Sequence, residues 1–336
     1  MTISEIAKLA GVSSAAVSRY LNNGSLSKEK REQIRKVIEE TKYQPSENAR
    51  AMRTKKSRRV GVIVPQIDSE SMPQILSGIS QVMDREKYSV LLMNSEQDME
   101  KEIHMLETFE QSQVDGLILA ASVVTKRHRN AFARMPFPVV IVGQRISGFS
   151  CVFHNDFQAS YDMMRYLLES GSRYPAYLGV TRKDRAAGES RYEGAGKALK
   201  EFGFCMEQIP RIQVDFTIES GYQGMEQLLQ QKKKIDSVFC ATDLIAAGAM
   251  VCLKEKGIRV PEDIRLSGLG HGIVADILTP RLTTVEYAYK TSGREAAEML
   301  LEQIQKPGTK IQERMLPYRI RYQESTAGEV ISTHLK

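Results

Sequence analysis

Five side chains near the amino terminus, Ser14, Ala15, Ser18, Arg19 and Asn22, have the types and spacing to meet a DNA groove. Steps of three and four residues put them on one face of a short helix, and that face carries only small, polar or basic groups. Small side chains allow close approach to base edges, and Arg19 can fork onto a guanine, a contact worth about 1–3 kcal/mol of discrimination. Ser14 and Ala15 can offer one hydrogen bond or a methyl contact. Asn22, at the end of the face, suits a phosphate. The five histidines (His104, His128, His154, His271 and His334) form no H-E-x-x-H, and the chain has no G-x-S-x-G elbow and no full G-x-G-x-x-G loop. Catalysis, a cofactor and a metal are therefore not expected.

The elements that hold this face in place are legible around it. Thr2 and Glu5 have the spacing of a capping box, and Ile3, Ile6, Ala7 and Ala10 recur as one buried helical stripe. Gly11 suits a turn, Ser13 can cap a second helix, and Val17 and Leu21 point inward. Ser27 can cap a third helix to about Thr41, with Ile34, Val37 and Ile38 closing a three-helix core before Tyr43-Gln44-Pro45 ends it. The basic stretch that follows, SENARAMRTKKSRR, reads either as a solvated linker or as a hinge that folds against DNA with Ala49 and Met52 toward the minor groove. Charge separates this head from the rest. Residues 1–59 hold 14 Lys and Arg against 6 Asp and Glu, whereas the other 277 residues hold 33 against 35. A basic head on a nearly neutral body suits a polyanion-binding module attached to something else.

The body changes rhythm. Apolar runs at 60–64, 89–93, 116–120 and 139–142 read as buried parallel strands, with helices near 73–86, 98–112 and 126–134. The pattern repeats with strands at 176–180, 210–214, 237–241 and 264–269 and helices near 157–170, 190–202, 219–231 and 243–257. Such succession predicts an α/β fold with two doubly wound parallel sheets and a ligand cleft beyond their carboxyl ends. Cys151, Cys205, Cys240 and Cys252 show no C-x-x-C spacing and read as reduced core residues. No apolar run reaches the roughly 18 residues of a membrane span, and Glu5 and Lys8 interrupt any signal core, so a cytoplasmic protein is expected.

The motifs IAKLAGVS, AVSRYLN, YQPSENARAMR, VDGLIL, VFCATDLIAAGAM, GIRVPEDI, PRLTTVE and PYRIRYQEST resemble, in order, those of the lactose-repressor (LacI/GalR) family of bacterial transcription regulators. The resemblance spans residue 2 to about 326. It implies a helix-turn-helix headpiece over 1–45, a hinge over 46–58 and a periplasmic-binding-protein-like effector domain over 59–326. That domain would divide into sub-domains of about 59–156 with 289–317, and 157–288 with 318–326. Base reading then falls on Ser14, Ala15, Ser18 and Arg19, the minor-groove wedge on Met52, and phosphate contacts on Asn22, Arg50, Arg53 and Lys55. Two hinges meeting at a dyad imply a homodimer on a palindromic operator. The ten residues after Thr326 carry no leucine heptad, which favours a dimer over a tetramer.

The same resemblance puts effector contacts at Gln66, Asp68, Ser69, Gln144, Phe153, Arg191, Thr242, Asp243 and Tyr289. Arg191 would fork onto sugar hydroxyls, and Tyr289 and Phe153 could stack on a pyranose face. Stretches such as RAMR, GFSCVFHND, YLGV and FCATD are most similar to the trehalose-repressor branch, whose effector is a sugar phosphate. Where that branch offers arginines to the phosphate, this chain has Gln66 and Gln144, and the segment Gly268-Leu269-Gly270-His271 lacks a frequent family carboxylate. A buried phosphate would be poorly compensated, so a neutral disaccharide such as sucrose is the expected inducer. A sugar-phosphate effector, a protein corepressor of a global catabolite regulator, and a transport-type sugar-binding protein are the alternatives.

Overall fold

The computed structural model describes residues 1–21, 24–43 and 56–326. Residues 1–58 with 113–115 form one compact unit, and the remainder forms a second. The expected positions Asn22, Ala49, Arg50, Met52, Arg53 and Lys55 lie outside the described residues.

The first unit is built on three helices. Helix α1 (Ile3–Leu9) starts on the reciprocal cap, with the Glu5 amide donating to Thr2 Oγ1 at 3.3 Å and the Thr2 amide to the Glu5 carboxylate at 2.7 Å. Gly11 turns the chain at φ +64°, where a side chain would be strained. Helix α2 (Ser14–Leu21) follows Ser13, whose hydroxyl accepts from the Ala16 amide at 3.2 Å. Helix α3 (Lys28–Thr41) starts on Ser27 and stops at a left-handed Lys42. Ile6, Ala7, Ala10, Ala16, Val17, Ile34 and Tyr43 are buried between them, while Ile3, Leu21, Val37 and Ile38 are only partly covered. In the same unit the Asp115 carboxylate accepts from the amide and hydroxyl of Ser57 and from the Arg58 amide, at 2.7, 2.9 and 3.0 Å.

The second unit opens with β1 (Arg59–Val64), α4 (Met72–Arg85), β2 (Ser89–Asn94), α5 (Met99–Gln111), β3 (Gly116–Ala120), α6 (Lys126–Arg134), β4 (Val139–Val142) and β5 (Ser150–His154). It continues with α7 (Asp156–Glu169), β6 (Pro175–Gly179), a π-helical turn (Arg185–Ser190), α8 (Arg191–Glu201), β7 (Arg211–Gln213), α9 (Ile218–Gln230), β8 (Ser237–Cys240) and α10 (Asp243–Glu255). Then come β9 (Arg265–Ser267), α11 (Ile273–Ile277), β10 (Thr284–Tyr287), α12 (Tyr289–Gln305), β11 (Glu313–Leu316) and β12 (Tyr318–Arg321).

One six-stranded sheet runs β11-β5-β4-β3-β1-β2 and one four-stranded sheet runs β7-β6-β8-β9, both wholly parallel. β10 and β12 pair antiparallel as a separate ribbon. The chain passes between the two halves three times, after β5, after β10 and after β11, because α7 packs with the second sheet and α12 with the first. The apolar runs of β1, β3 and β4 are buried, as strands covered on both faces must be.

Three expectations change. β2 is not buried but an edge strand, and it leaves Leu91 and Leu92 about two-fifths exposed. Cys205 is exposed, unlike the other three free cysteines. β5, α11, β10, α12, β11 and β12 add to the expected elements. Among the described residues no helix is long and apolar enough to cross a membrane.

Candidate functional site

Strand order reverses between β1 and β3 in the first sheet and between β6 and β8 in the second. Loops that leave the carboxyl ends of strands at such points diverge and leave a crevice. Here the two crevices face each other across one cleft, with an empty volume of about 1100 Å³, its open mouth included. Gln66, Ser69 and Glu70 reach it from the loop after β1, and Ala121 and Ser122 from the end of β3. Asp184 comes from the loop after β6 and Thr242 from the end of β8.

Arg191 forms the floor. It is only 6% exposed, and its Nε and Nη2 donate to Asp156 Oδ1 at 2.8 and 2.7 Å, while Nη1 donates to the Ala241 carbonyl. The Tyr287 hydroxyl gives the same Asp156 oxygen a third hydrogen bond at 3.0 Å, and the guanidinium carbon lies 5.4 Å from the Tyr287 ring centre. His154 packs on this group, 4.8 Å from the Tyr287 ring and 5.5 Å edge-on to Tyr289. Burial pushes the His154 imidazole down to about 4. The ring is therefore neutral at pH 7. Burial also pushes the phenols of Tyr287 and Tyr289 up, so both keep their protons.

Carboxylates also stand on the remaining wall. Asp184 caps the π-helical turn through the Ala186 and Ala187 amides, both at 2.9 Å, and burial pushes it up to about 6. Glu70 accepts from the Val274 amide at 3.4 Å, and burial raises it too. Among the described lining residues Glu70, Asp156 and Asp184 face one guanidinium, Arg191, which Asp156 already neutralises.

The sequence-based candidates divide by position. Gln66, Ser69, Arg191, Thr242 and Tyr289 line the cleft together. Gln66 Oε1 accepts from the Gln97 amide group, and the Thr242 hydroxyl accepts from the Ile245 amide at 3.3 Å. Asp68 is exposed and outside the lining. Asp243 sits behind the wall, fully buried, holding the Gly272 amide at 3.0 Å and the Thr284 hydroxyl at 2.5 Å, and burial pushes it up to about 7. Gln144 spends its amide nitrogen on the carbonyls of Ala121, at 3.0 Å, and Ser122. It lines an adjoining chamber with Phe153. Glu70, His154, Asp156, Asp184, Tyr287 and Phe216 were not singled out from the sequence. The acidic residue opening a helix in His154-Asn155-Asp156 is the one local signal that pointed to any of them.

On the headpiece, Ser14, Ala15 and Arg19 are exposed on α2 and Ser18 is half-buried, while Ala16 and Val17 turn inward. The face is thus free of core duty and carries a cation at its middle.

Residues 2–46 match the family described as bacterial regulatory proteins, lacI family, and residues 164–326 match the periplasmic binding protein-like domain. The sucrose operon repressor of Staphylococcus xylosus is 33% identical over 304 residues, covering 90% of this chain and 93% of that protein. A solved complex of the transcriptional regulator CelR with cellobiose superposes with a TM-score of 0.74 at 25% identity, covering 97% of this chain and 99% of that one. The lac repressor dimer bound to operator and the anti-inducer ONPF has the same fold, with a TM-score of 0.88 at 22% identity and coverage of 97% and 99%. Identity of this extent over nearly the whole chain, with the headpiece and the twin-sheet body in place, shows that the chain belongs to the lacI family of bacterial regulatory proteins.

Proposed function

We propose that this chain is a DNA-binding transcriptional repressor of a sugar-utilisation operon, released from its operator by a neutral sugar in the cleft. The observation that carries the effector class is the charge of the cleft wall. A phosphorylated or carboxylated ligand in this chamber would meet Glu70 and Asp184, and the one guanidinium among its described lining residues, Arg191, is already paired with Asp156. A neutral polyol meets carboxylates that accept hydrogen bonds from its hydroxyls, and tyrosine rings that suit its C–H faces. Relatives named for sucrose and cellobiose support the same class.

The DNA side rests on α2. Arg19 is the base-reading anchor, Ser14, Ala15 and Ser18 allow close approach, and the basic stretch over 46–58 supplies phosphate contacts beyond the headpiece of 1–45. A homodimer reads two half-sites of a palindrome in the cytoplasm, with no catalytic step and no cofactor. Sugar touching loops of both sheets stabilises one relation of the two halves over the other, and a ligand changes an equilibrium only through such differential contact. Calorimetric titration of the full chain with sucrose, other disaccharides and sucrose-6-phosphate tests the effector class. Binding of a free disaccharide supports it; tight binding of the phosphorylated sugar with none of free sugars contradicts it.

A further inference from the structure

The cationic stretch SENARAMRTKKSRR ends on Ser57, Arg58 and Arg59, and Arg59 is the first residue of β1. Ser57 and Arg58 are thus the junction between the stretch that serves DNA and the body. One carboxylate takes both. Asp115 Oδ1 accepts from the Ser57 amide at 2.7 Å and from the Ser57 hydroxyl at 2.9 Å, and Oδ2 accepts from the Arg58 amide at 3.0 Å. Bonds to an ionised acceptor are the strong kind, and three on one carboxylate fix two successive amides in direction.

Arg58 carries the mark of that grip. Its φ is +58°, in the left-handed region that residues other than glycine rarely adopt. Such a conformation persists only where the surroundings over-determine it, and it gathers at functional sites. Arg58 is exposed, so burial of its side chain does not hold it there. Asp115 itself is firmly seated. Val114 before it is 8% exposed, and Gly116 after it opens β3, where a Cβ would lie 2.9 Å from Leu300. β1 and β3 pair in parallel with Val60 opposite Gly116, which brings the amino ends of both strands to one level.

We infer that Asp115 is a positioning residue for DNA binding: its carboxylate holds the two residues from which the cationic stretch departs, so that DNA does not have to order them. This rests on the DNA-binding reading above and adds to it a residue far from the headpiece in sequence. Charge gives the inference a sign of its own. Asp115 is an anion close in sequence pairing to a run of cations, so a residue with no other role would, once neutralised, leave DNA binding unchanged or tighter. Loss of a clamp weakens binding instead, because the freed backbone must then be ordered on the DNA.

Duplexes selected from random DNA by the full wild-type chain supply the probe, and fluorescence anisotropy without sugar gives its affinity for the wild type, Asp115→Asn and Asp115→Glu. Both variants are expected to bind about tenfold more weakly. Asp115→Glu keeps the charge and displaces the carboxylate by one methylene, and it serves if the Asn variant does not fold. Hydrogen exchange at the Ser57 and Arg58 amides is expected to be slow in the wild type and fast in both variants, while the amides of β1 and β3 stay protected. Affinity that is unchanged or tighter in the variants, or Ser57 and Arg58 amides that exchange freely in the wild type, overturns the inference and leaves the DNA-binding reading standing. Weaker binding together with loss of protection in β1 and β3 marks a residue that only holds the fold, and overturns it as well. A wild-type chain that selects no duplex overturns both.

Discussion

At the scale of single residues, the molecule separates side chains that hold the fold from side chains left to act. Arg19 is exposed with a flat, small-residue face around it, so Arg19→Ala is expected to cost about 1–3 kcal/mol of operator affinity and to relax sequence preference at one position per half-site. Sugar affinity should not move, and parallel titrations with DNA and sugar check both. Asp156 is the opposite case. Removing it leaves the Arg191 guanidinium buried and unpaired, so Asp156→Ala should cost about 3–5 kcal/mol of stability in urea unfolding. Asp243 gives a signature in pH. Its folded carboxyl holds a proton up to about 7, whereas the unfolded chain releases it near 4. Its stabilising contribution is therefore full below about pH 4 and is lost as pH rises to about 7. His154 has the reverse sign, because its folded value of about 4 lies below the ordinary 6.5, so its contribution is lost as pH falls through that window. The unfolding free energy of the wild type minus that of Asp243→Asn is thus expected to fall between pH 5 and pH 8; a constant difference would refute the assignment. Arg191 could be placed by resemblance, but Asp156, Tyr287 and His154 could not. They meet it across three crossings of the chain, and no local spacing encodes such a meeting.

Among the elements, helix contact is set by glycine. A Cβ on Gly78 in α4 would lie 2.1 Å from the Lys290 carbonyl, and one on Gly293 in α12 would lie 2.0 Å from the Ile75 carbonyl. The two helices touch backbone to backbone at these paired positions. Gly293→Ala should force them apart and lower the stability of the body by about 1–3 kcal/mol, read as a shift in urea midpoint at unchanged slope. No shift would mean that the helices can part at no cost. Strands such as β1, β3, β4, β6 and β8 were legible because parallel strands covered on both faces need continuous apolar runs. β10 and β12 have four residues each, so their periodicity is too short to declare them. β2 shows the opposite limit: its Leu91, Leu92 and Met93 look like core to any pattern, yet the sheet ends there. α12 begins directly after β10, where Tyr289 is at once a cleft wall and the first helical residue, so no turn marks its start.

For the whole molecule, charge separates the two ligands in the proposed function: the basic head takes phosphate, and the cleft takes a neutral sugar. Operator binding should therefore weaken steeply with salt, by about 10³-fold or more between 50 and 200 mM if six or more phosphates are neutralised, while sugar binding stays nearly flat. Sequence alone reached the two-sheet body and the exposed face of α2 that carries Arg19, because periodicity and charge are local or additive. It did not reach Glu70, Asp156 and Asp184, whose meeting in one cleft depends on the path of the chain between the two sheets. In the proposed function a neutral disaccharide releases this protein from DNA. Fluorescence anisotropy of a labelled operator, titrated with the full chain in the presence of sucrose, a panel of other free disaccharides, or sucrose-6-phosphate, tests it most directly. One free disaccharide is expected to lower operator affinity about 5- to 150-fold, as coupling of about 1–3 kcal/mol would, and the phosphorylated sugar to leave it unchanged. Release by sucrose-6-phosphate with no effect of any free disaccharide would contradict it.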